Sequence, residues 1–390
     1  MKVAYVCADT GVPVFGNKGC SIHVQEIVRA FLQRGAEVDL FVARVGGNRP
    51  IDMADCGVHE FPLGRRDSPG DREASQQLLS QLIARSIPMD QYDLIYERCS
   101  LWSDATQVLA ARCGVASVLE VNAPLIDEQQ SHRELSDRAT AEQIALQAFR
   151  HAQCIAAVSE EVAQYVRSFY SEKTGNLLSG VEVVPNGVNV NRFCPDTQPV
   201  GASDRFTVGF AGSLKPWHGV ESLIAAFQLL LETHPLSRLK IIGDGPLRAS
   251  LEGSLQLRSS AVAAGTEFVG SVAPDRMPGH LVSLDVAVAP YVKQDQFYFS
   301  PLKVYEYMAC GLPTVAADAG LLSGLISNGV NGLLYEPGNV EQLSRILATL
   351  ADSPSLRRLL GTAARSKVVN EHSWQLCLDR ILNHVASTTG

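Results

Sequence analysis

The chain has 390 residues, of which 46% are hydrophobic and 19% charged, and its formal net charge at pH 7 is −8. This length predicts two or three domains with ample cores, and the acidic balance argues against nucleic acid as a partner. No apolar run approaches the roughly 18–20 residues that cross a bilayer, so we expect no transmembrane segment. Peripheral contact with a membrane through an amphipathic surface stays open.

The opening residues and the cysteines indicate a cytoplasmic setting. Met1–Cys7 reads as a first strand rather than as a signal peptide. The nine cysteines are scattered, odd in number and without a Cys-x-x-Cys pair, which favours a reducing compartment and argues against a zinc site or a disulfide framework.

The first half of the chain alternates apolar strands with helices. The pattern predicts a strand over 2–8, a glycine-containing loop, a helix over 21–34, and further strands over 37–42, 93–96, 116–121 and 154–158. Strands that alternate with helices predict a parallel sheet covered on both faces.

The second half repeats this scheme without repeating the sequence. We predict a strand over 206–210, a helix over 219–233, and strands over 239–242, 267–269, 286–288 and 314–316. Proline, glycine and serine crowd together between Asn191 and Arg205, which is typical of a domain boundary. We therefore expect an N-terminal domain over 1–195 and a second domain over 196–370, with a helical segment over 371–390.

The most informative segment is Ser300–Pro313, where a polar turn opens a short amphipathic helix and an apolar strand follows. A turn that leads into a helix presents unpaired backbone N–H groups and the positive end of the helix dipole, which suits a phosphate. Lys303 adds a positive charge there. Glu306 follows at roughly 1.5 Å per residue, which places it about as far along the helix as a ribose lies from its diphosphate.

This segment resembles the C-terminal signature of the retaining GT-B glycosyltransferases of family 4 (glycosyl transferases group 1), which include sucrose synthases and mannosyltransferases. The resemblance covers nearly the whole chain. It implies an α/β fold of the GT-B type, with two doubly wound Rossmann-like domains that face each other across a cleft. It also implies that the 371–390 helix crosses back to the N-terminal domain, with Trp374 as its anchor.

The turn Ala211–Gly219 resembles the glycine-rich turn with which the family grips the donor diphosphate, but two cations are replaced. Ser213 stands at the position of an Arg, and His218 stands at the position of a Lys. Arg binds phosphate through two parallel hydrogen bonds, whereas Ser offers a single neutral donor. Lys215 and Lys303 are the remaining basic candidates, and His218 is a further hydrogen-bond donor to phosphate.

The resemblance also assigns residues to the nucleotide. The family's Gly-x-Gly-Pro turn is matched by Gly243 and Gly245 near the sugar-phosphate end of the donor, and the loop that cradles the base is matched around Val269 and Val272. Glu306 corresponds to the acidic residue that binds the ribose hydroxyls. The helix start adds Ser300 and Leu302, and the glycine-rich turns add Gly212 and, in the first domain, Gly16.

Contacts to the donor sugar and to the acceptor depart further from the family. The first of the family's two Glu residues is Tyr298 here, so this contact passes to Tyr298, Asp295 or the backbone around Phe299. The family's sugar-contacting His is Asn122 here. Further candidates near the acceptor are Lys18 and His132, together with Glu97, Arg98 and Glu120. For these last three residues an internal Glu–Arg pair is an equally good interpretation.

These features predict a hexosyltransferase that moves a sugar from a UDP- or GDP-sugar to an acceptor hydroxyl or amine, in a small molecule or a glycan, with retention of configuration. The sequence has no Asp-x-Asp and no metal-ligand spacing, so we expect a metal-independent reaction with no cofactor. The residues that we expect to act in catalysis are Lys215, Lys303, Glu306 and Asn122. Two alternatives stay open: a sugar-nucleotide epimerase of the same fold, and a non-catalytic protein that binds nucleotide sugars.

Overall fold

The computed structural model describes residues 1–64, 68–132, 134–201, 204–293, 297–298 and 300–388. The strands are β1 Lys2–Cys7, β2 Glu37–Val42, β3 Gly57–Glu60, β4 Leu94–Arg98, β5 Ala116–Val121, β6 Cys154–Ala157, β7 Val181–Val183, β8 Thr207–Ala211, β9 Arg238–Ile242, β10 Thr266–Gly270, β11 Val286–Ala289, β12 Thr314–Ala317 and β13 Leu333–Tyr335. The helices are α1 Gly19–Gln33, α2 Pro69–Ser86, α3 Ala105–Cys113, α4 Leu125–His132, α5 Arg138–His151, α6 Glu160–Thr174, α7 Val220–Thr233, α8 Arg248–Gln256, α9 Ser260–Gly265, α10 Met277–Leu281, α11 Leu302–Ala309, α12 Leu322–Leu325, α13 Val340–Asp352, α14 Pro354–Glu371 and α15 Trp374–Ser387.

The chain divides into two compact units. Unit 1 contains Met1–Asn186, Tyr298, Ser300 and helix α15, and unit 2 contains Gly187–Phe297 and Pro301–Ser373 within the described ranges. None of the described helices combines the length and the apolar character that a membrane crossing requires.

Unit 1 is built on a seven-stranded sheet in the order β3-β2-β1-β4-β5-β6-β7, and every pairing is parallel. The inner strands β1, β4, β5 and β6 are almost entirely buried, because helices cover both faces of the sheet. One hydrophobic cluster packs Leu119 and Ile155 against Phe149 and Phe169. This arrangement confirms the predicted doubly wound α/β architecture.

Helix α15 belongs to unit 1 although it is the last element of the chain. The indole of Trp374 is 3% exposed and lies 4.9 Å from the imidazole of His23 in α1, between ring centroids. Arg34 pairs with Asp379, and Gln153 donates to the carbonyl of Val385 at 3.2 Å. These contacts tie the final helix to α1 and to the segment that precedes β6.

Unit 2 is built on a six-stranded parallel sheet in the order β10-β9-β8-β11-β12-β13. Strands β8, β11 and β12 are fully buried and consist largely of Val and Ala with one Phe and one Gly, and helices α7 and α13 pack against each other in this unit. Because the strands are parallel, the loops that follow β8, β9 and β10 meet at one edge of the sheet.

Candidate active site

Three turns meet at the carboxyl edge of the unit 2 sheet and are joined by backbone hydrogen bonds. The amide of Gly212, after β8, donates to the carbonyl of Ile242 at 2.9 Å, and the amide of Gly243, after β9, donates to Gly270 at 2.8 Å. The amide of Leu214 donates to the carbonyl of Asp244 at 3.0 Å. The predicted phosphate-binding turn and the Gly-x-Gly turn are therefore adjacent.

Glycine is required where these turns approach one another. A Cβ on Gly243 would lie 2.0 Å from the carbonyl oxygen of Gly212, and a Cβ on Gly245 would lie 2.6 Å from the amide nitrogen of Leu214. Gly212 has φ +148°, and its Cβ would lie 2.7 Å from the ammonium nitrogen of Lys303. The absence of side chains lets backbone and ammonium come within contact distance.

Helix α11 carries Lys303 towards this edge. Its ammonium nitrogen is buried, has no hydrogen-bond partner among the described residues, and lies 4.5 Å from the ring centroid of Phe210 and 5.1 Å from that of Tyr291. Burial lowers the pKa of Lys303 to about 7, and the negative charge of Glu306 partly offsets this effect. An ammonium group without a hydrogen-bonding anion is costly to bury, so this position is prepared for an anionic ligand.

Tyr307, one helical turn after Lys303, contacts the end of strand β8. Its hydroxyl accepts from the amide of Ala211 at 2.7 Å and donates to the carbonyl of the same residue at 3.0 Å. The side chain is fully buried. Because residues four apart share one face of a helix, α11 presents both Tyr307 and Lys303 to the Ala211–Ser213 segment.

His218 is held by the turn that it belongs to. Its Nδ1 contacts the carbonyl of Ser213, and its ring lies edge-on to Tyr291 with the centroids 5.5 Å apart. Burial, together with the charges of Lys303 and Lys215, lowers the pKa of His218 to about 3, although the hydrogen bond to Ser213 acts in the opposite direction. The imidazole is neutral, and with Nδ1 as the donor its Nε2 is an acceptor. The Nδ1 hydrogen of His218 is therefore donated to Ser213, and a hydrogen bond from His218 to a phosphate requires protonation of Nε2.

The remaining unit 2 candidates are placed as follows. Ser213 is exposed, and the ammonium of Lys215, also exposed, lies 4.7 Å from the ring centroid of Trp217. Glu306 is half-buried, three residues after Lys303 on α11, and Leu302 is the first residue of that helix. Val269 lies in β10 and Val272 follows it, both half-buried. These residues lie on the elements that carry the three turns or on α11.

In unit 1, Glu120 at the end of β5 holds three side chains. Its carboxylate accepts from Tyr96 at 2.6 Å and from Arg98 at 3.1 Å, and it lies 2.9 Å from His23 Nε2. Burial alone would raise the pKa of Glu120, but His23 and Arg98 outweigh it and lower the pKa to about 2. Glu120 is 2% exposed, so its geometry supports the internal pair, which is one of the two roles that the sequence left open for it.

Glu97, on β4, is also internal. Its carboxylate accepts from Ser103 at 2.5 Å and from Gln107 at 3.1 Å. Burial raises the pKa of Glu97 to about 7, against the lowering effect of these two hydrogen bonds. Of the two interpretations left open for this group, the structure shows an internal Glu–Arg pair, formed by Arg98 and Glu120 rather than by Glu97.

The loop between β1 and α1 is held by the side chain of Gln25, which the sequence analysis did not identify. The side-chain amide nitrogen of Gln25 donates to the carbonyls of Val14 at 2.9 Å and Gly16 at 3.0 Å. A Cβ on Gly16 would lie 2.9 Å from Ser21 Oγ, so the loop needs glycine there. Lys18 is exposed immediately before α1.

Asn122, directly after β5, has a buried Oδ1 with no hydrogen-bond partner among the described residues. Tyr298 donates its hydroxyl to Glu128 within unit 1, and its carbonyl accepts from Ser159 at 3.1 Å. The hydroxyl of Ser300 accepts from the amide of Asn186 at 2.9 Å. The hydroxyl groups of Tyr298 and Ser300 are thus already engaged in this structure.

Three of the predicted site residues cannot be placed. Asp295 and Phe299 lie outside the described residues, as does the side chain of His132. Sequence reasoning also missed Tyr291 and His23, which touch predicted site residues, and Tyr307, which contacts Ala211 next to Gly212. Their signals were weak, because each partner lies far away in the sequence.

Two family profiles match this chain. The profile described as "Glycosyl transferases group 1" matches residues 205–353, and the profile described as "Glycosyl transferase 4-like domain" matches residues 18–187. The chain belongs to the group 1 glycosyltransferases. It is therefore a glycosyltransferase, as its sequence motifs predicted.

Curated relatives and solved structures agree with this family. The chain is 26% identical to the D-inositol 3-phosphate glycosyltransferase of Nocardiopsis dassonvillei, over 94% of this chain and 88% of that protein. It is 28% identical to a GDP-mannose-dependent monoacylated alpha-(1-6)-phosphatidylinositol monomannoside mannosyltransferase of Corynebacterium glutamicum, over 53% of this chain and 56% of that protein.

Two solved structures share the fold. The structure of HepE from Anabaena in complex with UDP has a TM-score of 0.72 at 22% identity, and the match covers 99% of this chain and 100% of that one. Sucrose-phosphate synthase from Thermosynechococcus elongatus has a TM-score of 0.74 at 19% identity, with 99% of both chains covered. These similarities confirm the GT-B fold of this group 1 glycosyltransferase.

Proposed function

We propose that the protein transfers a hexose from a UDP- or GDP-sugar to a hydroxyl or amine of an acceptor, with retention of configuration and without a metal ion. The observation that carries this proposal is the buried ammonium of Lys303, which has no hydrogen-bond partner among the described residues and lies against the glycine turn after β8. A diphosphate supplies the negative charge that this position lacks.

The surroundings of Lys303 fit a diphosphate better than an isolated carboxylate. The Gly212 turn brings backbone within reach, and Ser213 adds a hydroxyl donor at an exposed position. A cation in an apolar setting interacts more strongly with an anion than it does in water. Lys303, on α11, therefore supplies the positive charge that the family's Arg provides at the position of Ser213.

Glu306 is proposed to bind the ribose of the donor. It follows Lys303 by three residues on α11, which corresponds to about 4.5 Å along the helix axis. A carboxylate accepts hydrogen bonds from two vicinal hydroxyl groups. One short helix, α11, then supplies the side chains that bind both the diphosphate and the ribose.

Both donor bases are supported by relatives. One solved neighbour is a complex of HepE with UDP, and one curated relative is named as GDP-mannose-dependent. We propose that the base lies near Val269 and Val272, where β10 ends beside the Gly243 turn. Backbone N–H and C=O groups there form hydrogen bonds with the edge of the base.

The transfer would proceed on one face of the sugar. The bond between the sugar C1 and the diphosphate oxygen breaks, and the acceptor oxygen or nitrogen bonds to C1 from the same side. The proton of the acceptor passes to the departing phosphate. Lys303 and the backbone N–H groups of the Gly212 turn stabilise the negative charge that develops on the diphosphate, so no side-chain nucleophile is required.

We propose residues 1–195 as the acceptor-binding part and 196–370 as the donor-binding part. Ligands of parallel sheets bind beyond the carboxyl ends of the strands, and in unit 1 that edge carries Asn122. The buried Oδ1 of Asn122 accepts a hydrogen bond from a sugar or acceptor hydroxyl. A cytoplasmic setting stays a prediction based on the cysteines.

Calorimetric titration with UDP and with GDP, with and without EDTA, tests the donor assignment. We expect one nucleotide to bind with unchanged affinity in EDTA, and we expect the Glu306→Gln variant to lose about tenfold in affinity because a ribose contact is lost. A Glu306→Gln variant that binds like the wild type would contradict the ribose assignment.

A second experiment tests the reaction. The nucleotide sugar that binds is incubated with a panel of acceptors, and the anomeric configuration of the product is read by NMR. An inverted product would contradict retention, and activity that disappears in EDTA would contradict metal independence. Isomerised nucleotide sugar formed without an acceptor would favour the epimerase alternative.

A further inference from the structure

Tyr307 contacts strand β8 at a position where the neighbouring strand β11 does not pair with it. Strand β11 pairs with β8 at Val208 and Gly209, and no pairing with β11 is present at Ala211. On its other side, Ala211 still pairs with Ile242 of β9. The Tyr307 hydroxyl takes up both backbone groups of Ala211, at 2.7 and 3.0 Å.

The Tyr307 hydroxyl thus makes the backbone hydrogen bonds to Ala211 that a neighbouring strand would otherwise make. It uses its acceptor and its donor function on one residue, and it is fully buried, so water cannot replace it. Buried backbone groups must be paired to avoid a desolvation penalty. The last residue before the Gly212 turn is therefore fixed from both sides, by β9 and by α11.

The same helix fixes the cation. Lys303 precedes Tyr307 by one turn on the same face, and its ammonium lies where a Cβ on Gly212 would meet it, at 2.7 Å. The spacing between the turn and the ammonium is therefore set by one rigid element. A phosphate needs that spacing to contact both groups at once.

We propose that Tyr307 is a positioning residue for the donor diphosphate: its hydroxyl holds the Gly212–Ser213 turn at the distance from Lys303 that a phosphate requires. This inference rests on the proposed function, because it assumes that the turn binds the donor. Tyr307 itself touches no ligand, and it acts through the backbone of Ala211.

The test compares the phosphate and nucleoside parts of the ligand. In Tyr307→Phe the ring stays and the hydroxyl is lost, so the N–H and C=O of Ala211 lose their partner on α11 and the turn is held only from the β9 side. We expect affinity for UDP, or for GDP if that is the better ligand, to fall by about tenfold. Affinity for the matching nucleoside, which lacks the phosphates, should change less than about twofold.

Tyr335→Phe is the matched control. Tyr335 is a buried tyrosine of the same unit whose hydroxyl has no hydrogen-bond partner among the described residues. The same chemical change there should leave both affinities unaltered. A general loosening of unit 2 would lower nucleoside and nucleotide affinity together in Tyr307→Phe, and that result would overturn the positioning role.

Hydrogen exchange of the wild-type protein provides a measurement that does not depend on the variant's folding. The amide of Ala211 should exchange much more slowly than that of Ser213 in the free protein, because Tyr307 accepts from it. UDP or GDP should then protect Ser213. Equal exchange at Ala211 and Ser213 would contradict the inference.

The outcomes separate the inference from the function. If the wild type binds neither UDP nor GDP, the proposed function fails and the positioning role fails with it. If the wild type binds one of them and Tyr307→Phe binds it equally well, the proposed function stands and the positioning role alone is wrong.

Discussion

Replacing Lys303 with Met should stabilise the free protein and weaken nucleotide binding at the same time. Met has a similar length and no charge, so it removes the cost of burying an ammonium group that has no hydrogen-bond partner among the described residues. The same change removes the cation that the donor diphosphate would use. Opposite signs for stability and binding distinguish this reasoning from ordinary damage to a core residue.

The size of the stability change follows from the pKa of Lys303, which burial lowers from 10.5 to about 7. At about 1.4 kcal/mol for each pKa unit, this costs the folded state on the order of 4 kcal/mol at pH 7. Met also loses the contacts of the ammonium with Phe210 and Tyr291, worth about 1–2 kcal/mol. We therefore expect a net gain of about 2–3 kcal/mol in the free energy of unfolding.

The sign of the pH dependence is fixed by the direction of this pKa change. The unfolded chain binds the Lys303 proton up to about pH 10.5, and the folded protein releases it above about pH 7. The cost is therefore present in full below pH 7 and declines as the pH rises towards 10.5. The stability advantage of Lys303→Met over the wild type should shrink across this range.

Nucleotide binding should show the reverse behaviour. A diphosphate favours the charged form of Lys303, so binding takes up protons, and wild-type affinity should decline as the pH rises from 7 to 9. Lys303→Met should lose about 10- to 100-fold in affinity at pH 7, as expected for a charge-assisted hydrogen bond. Most of the pH dependence should disappear with it.

Urea unfolding and calorimetric titration, each at several pH values, measure these quantities. Lys215→Met is the control for stability, because Lys215 is exposed and its replacement should change the free energy of unfolding by less than about 0.5 kcal/mol. A Lys303→Met variant that is less stable than the wild type, or that binds UDP and GDP as tightly, would refute the reasoning.

Three further changes test other parts of the structure. Gly212→Ala should cost about 1–3 kcal/mol, since a side chain at φ +148° would meet the ammonium of Lys303; an unchanged melting temperature would contradict the tight approach. Burial raises the pKa of Glu97 to about 7, so the contribution of this group to stability should fall by about 3 kcal/mol as the pH rises from 4.5 to 7; in urea unfolding, the stability of the wild type relative to Glu97→Gln should decline by that amount, and a constant difference would contradict the raised pKa. Trp374→Ala should cost about 3–5 kcal/mol, because the indole is 3% exposed; a loss below 1 kcal/mol in urea unfolding would show that α15 is not anchored there.

The central strands were predictable from the sequence because they are buried on both faces. In a chain that alternates strands with helices, a short run of Val, Ile, Leu and Ala bounded by turn residues predicts a buried parallel strand. The three strands β3, β7 and β13 were missed. Strands β3 and β7 contain only half-buried or exposed residues, and at the edge of a sheet they carry no apolar signature.

The candidate site was predictable where it depends on local sequence, and not where it depends on tertiary contacts. The turns after β8 and β9 and the cation on α11 follow from short motifs. The contact between Tyr307 and Ala211 spans 96 residues of sequence, so no spacing rule reveals it. The same holds for the pairing of Arg98 with Glu120, which are register partners on β4 and β5.

The membership of helix α15 in unit 1 has a consequence for the order of folding during synthesis. Helix α1 leaves the ribosome among the first residues, yet its neighbour α15 is translated after all of unit 2. At about 5–20 residues per second, unit 1 waits about 10–40 s for this last helix. During that time His23 and the neighbouring surface of α1 lack their cover, whereas unit 2 already has all of its strands. The nascent chain should therefore need protection by chaperones at α1, rather than at unit 2.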